Sequence, residues 1–71
     1  MIASPSDLIY FTEVCNTLNF SRTASRIGIT QPSLSQAIKR LEQVIGTELF
    51  IRSKTGVTLT KAGKRLLSHT K

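Results

Sequence analysis

The stretch Phe20 to Lys39, FSRTASRIGITQPSLSQAIK, decides how this chain is read. It divides into a short helical segment, a turn carrying Gly28, and a longer helix whose apolar and polar residues separate by face. A threonine N-cap satisfies a free amide, and a proline in the first turn removes an N–H that has no intrahelical partner. Thr30-Gln31-Pro32 therefore opens the longer helix, which the pattern carries from Gln31 to about Ile45 and ends at Gly46. Leu34, Ile38, Leu41 and Ile45 recur at steps of four, three and four, a stripe directed into a core. The opposite face carries Pro32, Ser35, Gln36, Lys39 and Gln43, with no acid before Glu42. Solvated helix surfaces mix acids among their bases to form i,i+4 pairs, so a polar face lacking them suits an anionic partner. Only Gly28, Ile29 and Thr30 separate the helices, and Ala24 is small enough for close approach, as in a steep helix-turn-helix.

Upstream, Ser4 is placed to cap a first helix, with Pro5 at its first position and Asp7 at its third. Leu8, Phe11, Val14, Cys15 and Leu18 share one apolar face of that helix. Asn19 is expected to end it and Ser21 to cap the second helix, from about Arg22 to Ile27, with Gly28 as a left-handed C-cap. Downstream, Leu49 to Arg52 and Val57 to Leu59 are β-favouring runs around Ser53, Lys54, Thr55 and Gly56, which predicts a small hairpin wing. Thr60 caps a last helix beginning KAGKRLL, which Gly63 weakens slightly and which shows no stop signal before the final residue. The fold class expected is mainly α: a winged helix-turn-helix with a three-helix core, a two-stranded wing and the start of a further helix.

With 71 residues, ten Lys and Arg against four acids and a formal charge of +6, the chain is one small domain suited to a polyanion. The acids Asp7, Glu13, Glu42 and Glu48 fall on the first helix and around the end of the third. Arg22, Arg26, Lys39, Arg40, Arg52, Lys54, Lys61, Lys64 and Arg65 begin where the helix pair begins, so the positive field surrounds it. One cysteine and one histidine allow neither an internal disulfide nor a structural zinc site, and no metal or cofactor is expected in these residues. Cys15 reads as a small core residue and His69 as a solvated one. No nucleophile, base and orienter set is present and no Gly-rich phosphate loop, so no enzymatic activity is expected. No apolar run approaches the ~18 residues of a membrane span. The start MIASPSDLIYF lacks the basic region of a signal peptide, and a soluble, cytoplasmic chain is expected.

A helix whose N-terminal half enters the major groove brings its first two turns to base edges, while the preceding helix crosses the phosphate backbone. On that geometry Gln31 can pair bidentately with adenine and Pro32 can touch a thymine methyl. Ser33 and Ser35 can bond bases or phosphates, Gln36 can read another edge, and Lys39 meets a phosphate or a guanine. Ser21, Arg22 and the free amides opening the second helix are candidates for phosphate, because a helix N-terminus favours an anion. Thr30 adds a phosphate contact to its capping role. Arg52 has two readings, a phosphate contact or a structural arginine bonded to a helix carboxylate or carbonyl.

The order FSRTASRIGITQPSLSQAIKRLEQVIGTELFIR, followed by LTKAG, resembles the N-terminal winged helix-turn-helix domain of the LysR-type transcriptional regulators. The resemblance runs from about Leu8 to Gly63. It rests on the Phe-Ser-Arg entry to helix two, Gln31-Pro32 with Ser35, Leu41-Glu42 and Gly46, Leu49-Phe50 with Arg52, and Leu59-Thr60 with Ala62-Gly63. It implies a sequence-specific binder of double-stranded operator DNA in the bacterial nucleoid, with residues 31–45 as the recognition helix. The positions matching Gln31, Pro32, Ser33, Ser35 and Lys39 would lie at the DNA. It further implies a winged helix-turn-helix over residues 5–60, with the helix pair at 20–39 and the wing at 49–59, and a linker helix beginning over 61–71. Members pair through that linker as homodimers, assemble into tetramers at full length, and bind a small-molecule inducer in a separate C-terminal domain.

The wing departs from the family pattern. Many members place an arginine beyond the one matching Arg52, where it reaches into the minor groove, and here Thr55 and Gly56 stand there. Lys54 alone could substitute, which implies weaker selection for a narrow A·T-rich groove. Two other functions fit a basic winged helix: a protein-interaction module using the third helix, and RNA binding. The polar face of that helix argues against the first, and the absence of aromatics outside the expected core against the second.

Overall fold

The computed structural model describes residues 4–69 in full together with the backbone of Thr70. Readings that fall on Met1 to Ala3 and on Lys71, the missing leader and the last residue of the expected linker, lie outside the described residues. The elements run α1 (Pro5–Thr17), α2 (Phe20–Ile27), α3 (Gln31–Ile45), β1 (Phe50–Ser53), β2 (Gly56–Leu59) and α4 (Lys61–Thr70). Among them no helix is long and apolar enough to cross a membrane.

Local chemistry sets most of the starts and stops. Ser4 caps α1 by accepting from the Asp7 N–H at 3.3 Å, and Thr30 caps α3 by accepting from the Ser33 N–H at 3.2 Å. Thr60 opens α4, accepting from the Gly63 N–H at 3.0 Å while donating to the Glu48 carbonyl at 2.7 Å. Gly28 and Gly46 end α2 and α3 at φ 81° and 89°, the left-handed region that glycine enters without cost. In the wing, Phe50 pairs with Leu59 and Ser53 with Gly56 in antiparallel register, leaving Lys54 and Thr55 as the turn.

The junction of α1 and α2 differs from the expectation. Helix α1 stops at Thr17, Leu18 takes the left-handed C-cap at φ 51°, and Asn19, not Ser21, caps α2 by accepting from the Arg22 N–H at 2.9 Å. The helix consequently begins at Phe20, two residues before the expected start, which turns that ring into the core. Leucine gives no local sign of a left-handed conformation, so this boundary is set by packing on either side of it. The fully buried Thr23 hydroxyl meets the Thr17 hydroxyl at 2.5 Å and closes the corner.

Phe11, Val14, Phe20, Ala24, Leu34, Ile38, Leu41, Leu49 and Phe50 form one core cluster. The Phe50 ring lies 5.4 Å from Phe11 and 5.7 Å, edge-on, from Phe20, so the wing enters the helical core through its first residue. The expected apolar stripes are shorter than their periodicity suggested. Leu8, Leu18 and Ile45 are 36%, 40% and 41% exposed, because each lies at the end of its segment beyond the reach of the opposing helix. The inner face of α1 instead carries Asp7, only 2% exposed and bonded to Arg40 of α3 at 3.1 Å.

Gly63 also has a different role from the mild helix-weakening expected of it. A Cβ at this position would sit 2.3 Å from the Leu49 carbonyl oxygen and 2.6 Å from Leu59 Cδ2. The glycine lets α4 lie directly on the strand entry. Leu66 and Leu67, expected as contacts for a second chain, are half-buried against this core.

Candidate nucleic-acid interface

The surface that could meet a polyanion is organised by the first two turns of α3. Leu34, Ala37, Ile38 and Leu41 are buried against α1 and α2, which obliges the opposite face to look outward. Gln31, Pro32, Ser33, Gln36 and Lys39 are exposed there and Ser35 is half-buried. Ser21 and Arg22 are exposed on the first turn of α2, Thr30 precedes α3, Arg52 ends the paired part of β1 and Lys54 sits in the wing turn.

Three cross-links tie these residues together. The Ser21 hydroxyl donates to Gln31 Oε1 at 2.8 Å, joining the openings of α2 and α3. The Thr30 hydroxyl donates to Ser33 Oγ at 2.8 Å while accepting from the Ser33 amide, so both side chains are held within the cap. Arg52 lies over the Phe20 ring, 3.7 Å from its centroid, and donates to Ser35 Oγ at 3.2 Å.

Arg52 thus follows neither partner of the structural reading, helix carboxylate or carbonyl. It stacks on an aromatic face, as a planar guanidinium does well, and reaches a serine hydroxyl. The local sequence could not announce this platform, because Phe20 lies on α2 and Arg52 on the wing and only the core brings them together. Arg40, which the sequence places in the positive field, turns inward to Asp7 instead. Glu42 was missed altogether: its carboxylate accepts from the Leu49 N–H at 2.8 Å and the Phe50 N–H at 3.4 Å, anchoring the start of the wing on α3.

These contacts shape the field. Asp7 is neutralised by Arg40 and Glu42 is occupied by backbone amides, so neither opposes the exposed Arg22, Lys39, Arg52 and Lys54. An open depression of about 600 Å³ lies between α3 and the wing, with Ser35, Gln36, Lys39 and Arg52 on its rim and the edges of Phe20 and Phe50 in its floor. Among the described residues no group of three His, Cys, Asp or Glu side chains is placed to hold a metal ion. The half-buried Cys15 packs against the core.

Residues 5–64 match the family described as bacterial regulatory helix-turn-helix protein, lysR family. The chain is 50% identical over 60 residues to the HTH-type transcriptional regulator IlvR of Caulobacter vibrioides, covering 84% of this chain and 20% of that protein. A hydrogen-peroxide-bound mutant of Corynebacterium glutamicum OxyR superposes with a TM-score of 0.92 at 35% identity, over 97% of this chain and 22% of the other. The BenM DBD in complex with catB site 1 DNA superposes with a TM-score of 0.85 at 31% identity, over 90% of this chain and 72% of that one. The chain therefore spans about a fifth of the length of IlvR and of OxyR.

Proposed function

This chain belongs to the LysR family of bacterial regulatory helix-turn-helix proteins, and from that premise we propose that it binds double-stranded operator DNA sequence-specifically, with α3 in the major groove. The observation that carries the reading is the division of α3 by face. Its apolar residues hold it against α1 and α2, and its outward first two turns present amide, hydroxyl and ammonium groups without a carboxylate. Groups of that kind match the donors and acceptors on base edges and the charge of phosphates. The solved complex of the BenM DBD with DNA supports the same reading for a chain of this fold.

Roles divide by chemistry. Gln31, Pro32, Ser33 and Gln36 face the bases, where Gln31 offers a donor and an acceptor to adenine and Pro32 an apolar contact to a thymine methyl. Lys39 and Arg22 meet phosphates on either side, and the Thr30 and Ser35 hydroxyls add contacts from positions already fixed by the α3 cap and by Arg52. Lys54 extends from the wing turn toward the adjoining minor groove. Residues 5–60 form the DNA-binding unit and residues 61–71 belong to a linker helix through which two copies pair, so that two reading heads meet two half-sites. In the whole protein, transcription regulation, tetramer assembly, binding of a small-molecule inducer outside these residues and a cytoplasmic, nucleoid-associated location follow from the same family membership.

Selection of binding sites from random duplexes with this chain tests the proposal, and an enriched half-site is the expected result. Gln31→Ala then lowers discrimination between that site and random DNA by about 1–3 kcal/mol. Arg22→Ala weakens all duplexes alike and reduces the slope of log affinity against log salt by about one. Equal weakening of every duplex by both substitutions would remove base reading from α3.

A further inference from the structure

The bond between Ser21 and Gln31 assigns Ser21 a task other than the phosphate contact its place on α2 suggests. We propose that Ser21 is a positioning residue for base reading, holding the Gln31 amide in the one orientation that offers a donor and an acceptor side by side to adenine. This rests on the DNA-binding function proposed above and extends it to a residue that acts through another.

The argument begins with proton supply. A serine hydroxyl has one proton, and here it is donated to Gln31 Oε1 at 2.8 Å. Phosphate oxygens only accept, so Ser21 cannot keep this bond and donate to the backbone of DNA at the same time.

Both ends of the bond are held. Asn19 fixes the opening of α2 through the Arg22 N–H at 2.9 Å, and Thr30 fixes the opening of α3 through the Ser33 N–H at 3.2 Å. The Gly28 and Ile29 amides both bond to the Ala24 carbonyl at 3.0 Å, which sets the turn between the two helices. The hydroxyl therefore meets the amide from a fixed direction.

The amide gains its meaning from that direction. An unrestrained glutamine has several rotatable bonds, and its terminal amide can present either end to a base. With Oε1 anchored on Ser21, one oxygen lone pair and both N–H donors remain. An adjacent acceptor and donor match the N6 donor and N7 acceptor of adenine, whereas guanine offers two acceptors there. Loss of the anchor frees the amide to invert, so the preference for adenine falls while contacts elsewhere continue.

The test uses this chain and four duplexes that differ only at the base pair whose preference Gln31→Ala abolishes. Ser21→Ala is expected to reduce the preference for the best base at that pair by roughly three- to tenfold, the worth of one neutral hydrogen bond. Preferences at other positions and the salt slope hold, and Ser21→Thr, which keeps a hydroxyl, retains the discrimination. In the Gln31→Ala background Ser21→Ala has no further effect, the non-additivity expected of residues acting as a unit. Uniform weakening of all four duplexes by Ser21→Ala, with the preference intact, would make Ser21 a backbone contact and overturn the assignment. Absence of any preference in the unsubstituted chain would instead overturn the DNA-reading function, and this inference with it.

Discussion

The two ends of α3 carry polar side chains in similar number and use them in opposite directions. Toward its C-terminus Arg40 reaches back to the buried Asp7 of α1, and Glu42 reaches forward to the amides that open the wing. Toward its N-terminus Gln31, Ser33 and Ser35 bond to Ser21, Thr30 and Arg52, all neighbours that are themselves at the surface. One end bolts the helix into the protein and the other presents it. The difference lies in what the partner would lose: a buried carboxylate or backbone N–H left alone costs far more than an exposed hydroxyl that water can satisfy.

The sharpest challenge to this contrast is Arg40→Ala, which leaves Asp7 unpaired at 2% exposure. The expected loss is about 2 kcal/mol of unfolding free energy, below the range for fully buried pairs because the arginine side chain is itself half exposed. Chemical denaturation measures it, and a loss under about 0.5 kcal/mol would place this end of α3 with ordinary surface positions. Glu42→Ala should follow at about 1–2 kcal/mol, since the Leu49 and Phe50 amides lose their acceptor, with Glu42→Gln recovering part of it through its remaining carbonyl.

At the other end the stability effects shrink. Arg52→Ala removes a stacked cation at an exposed site and should cost about 0.5–1 kcal/mol, and Arg52→Lys should not restore it fully because an ammonium lacks the planar face. Gln31→Ala should change thermal stability least, within about 0.5 kcal/mol, despite its effect on DNA discrimination. If Gln31→Ala destabilised the fold as much as Arg40→Ala does, the two ends would no longer be distinct.

The candidate site was legible in the sequence as a set of residues and only partly as a set of roles. All eleven positions singled out, from Ser21 to Lys54, lie on the surface of α2, α3, the intervening cap or the wing. What the pattern concealed was the bonding among them. Arg52 finds Phe20 and Ser35, and Ser21 finds Gln31, across ten to more than thirty positions of sequence. Helical periodicity identifies a face and not the neighbour that the face will meet.

The sequence alone determined the span of α3, its caps at Thr30 and Gly46, the starts of α1 and α4 at Ser4 and Thr60, and the turn of the wing. Each depends on hydrogen bonds or backbone preferences reaching only three or four residues, and such interactions are already present in the order of side chains. Tertiary structure alone decided that Leu18 would turn left-handed, that Arg40 would point inward, that Glu42 would hold the wing and that Gly63 would admit the Leu49 carbonyl. Those outcomes depend on which distant surface arrives in contact, and a free energy of burial or of an unmet hydrogen bond exists only once it has arrived.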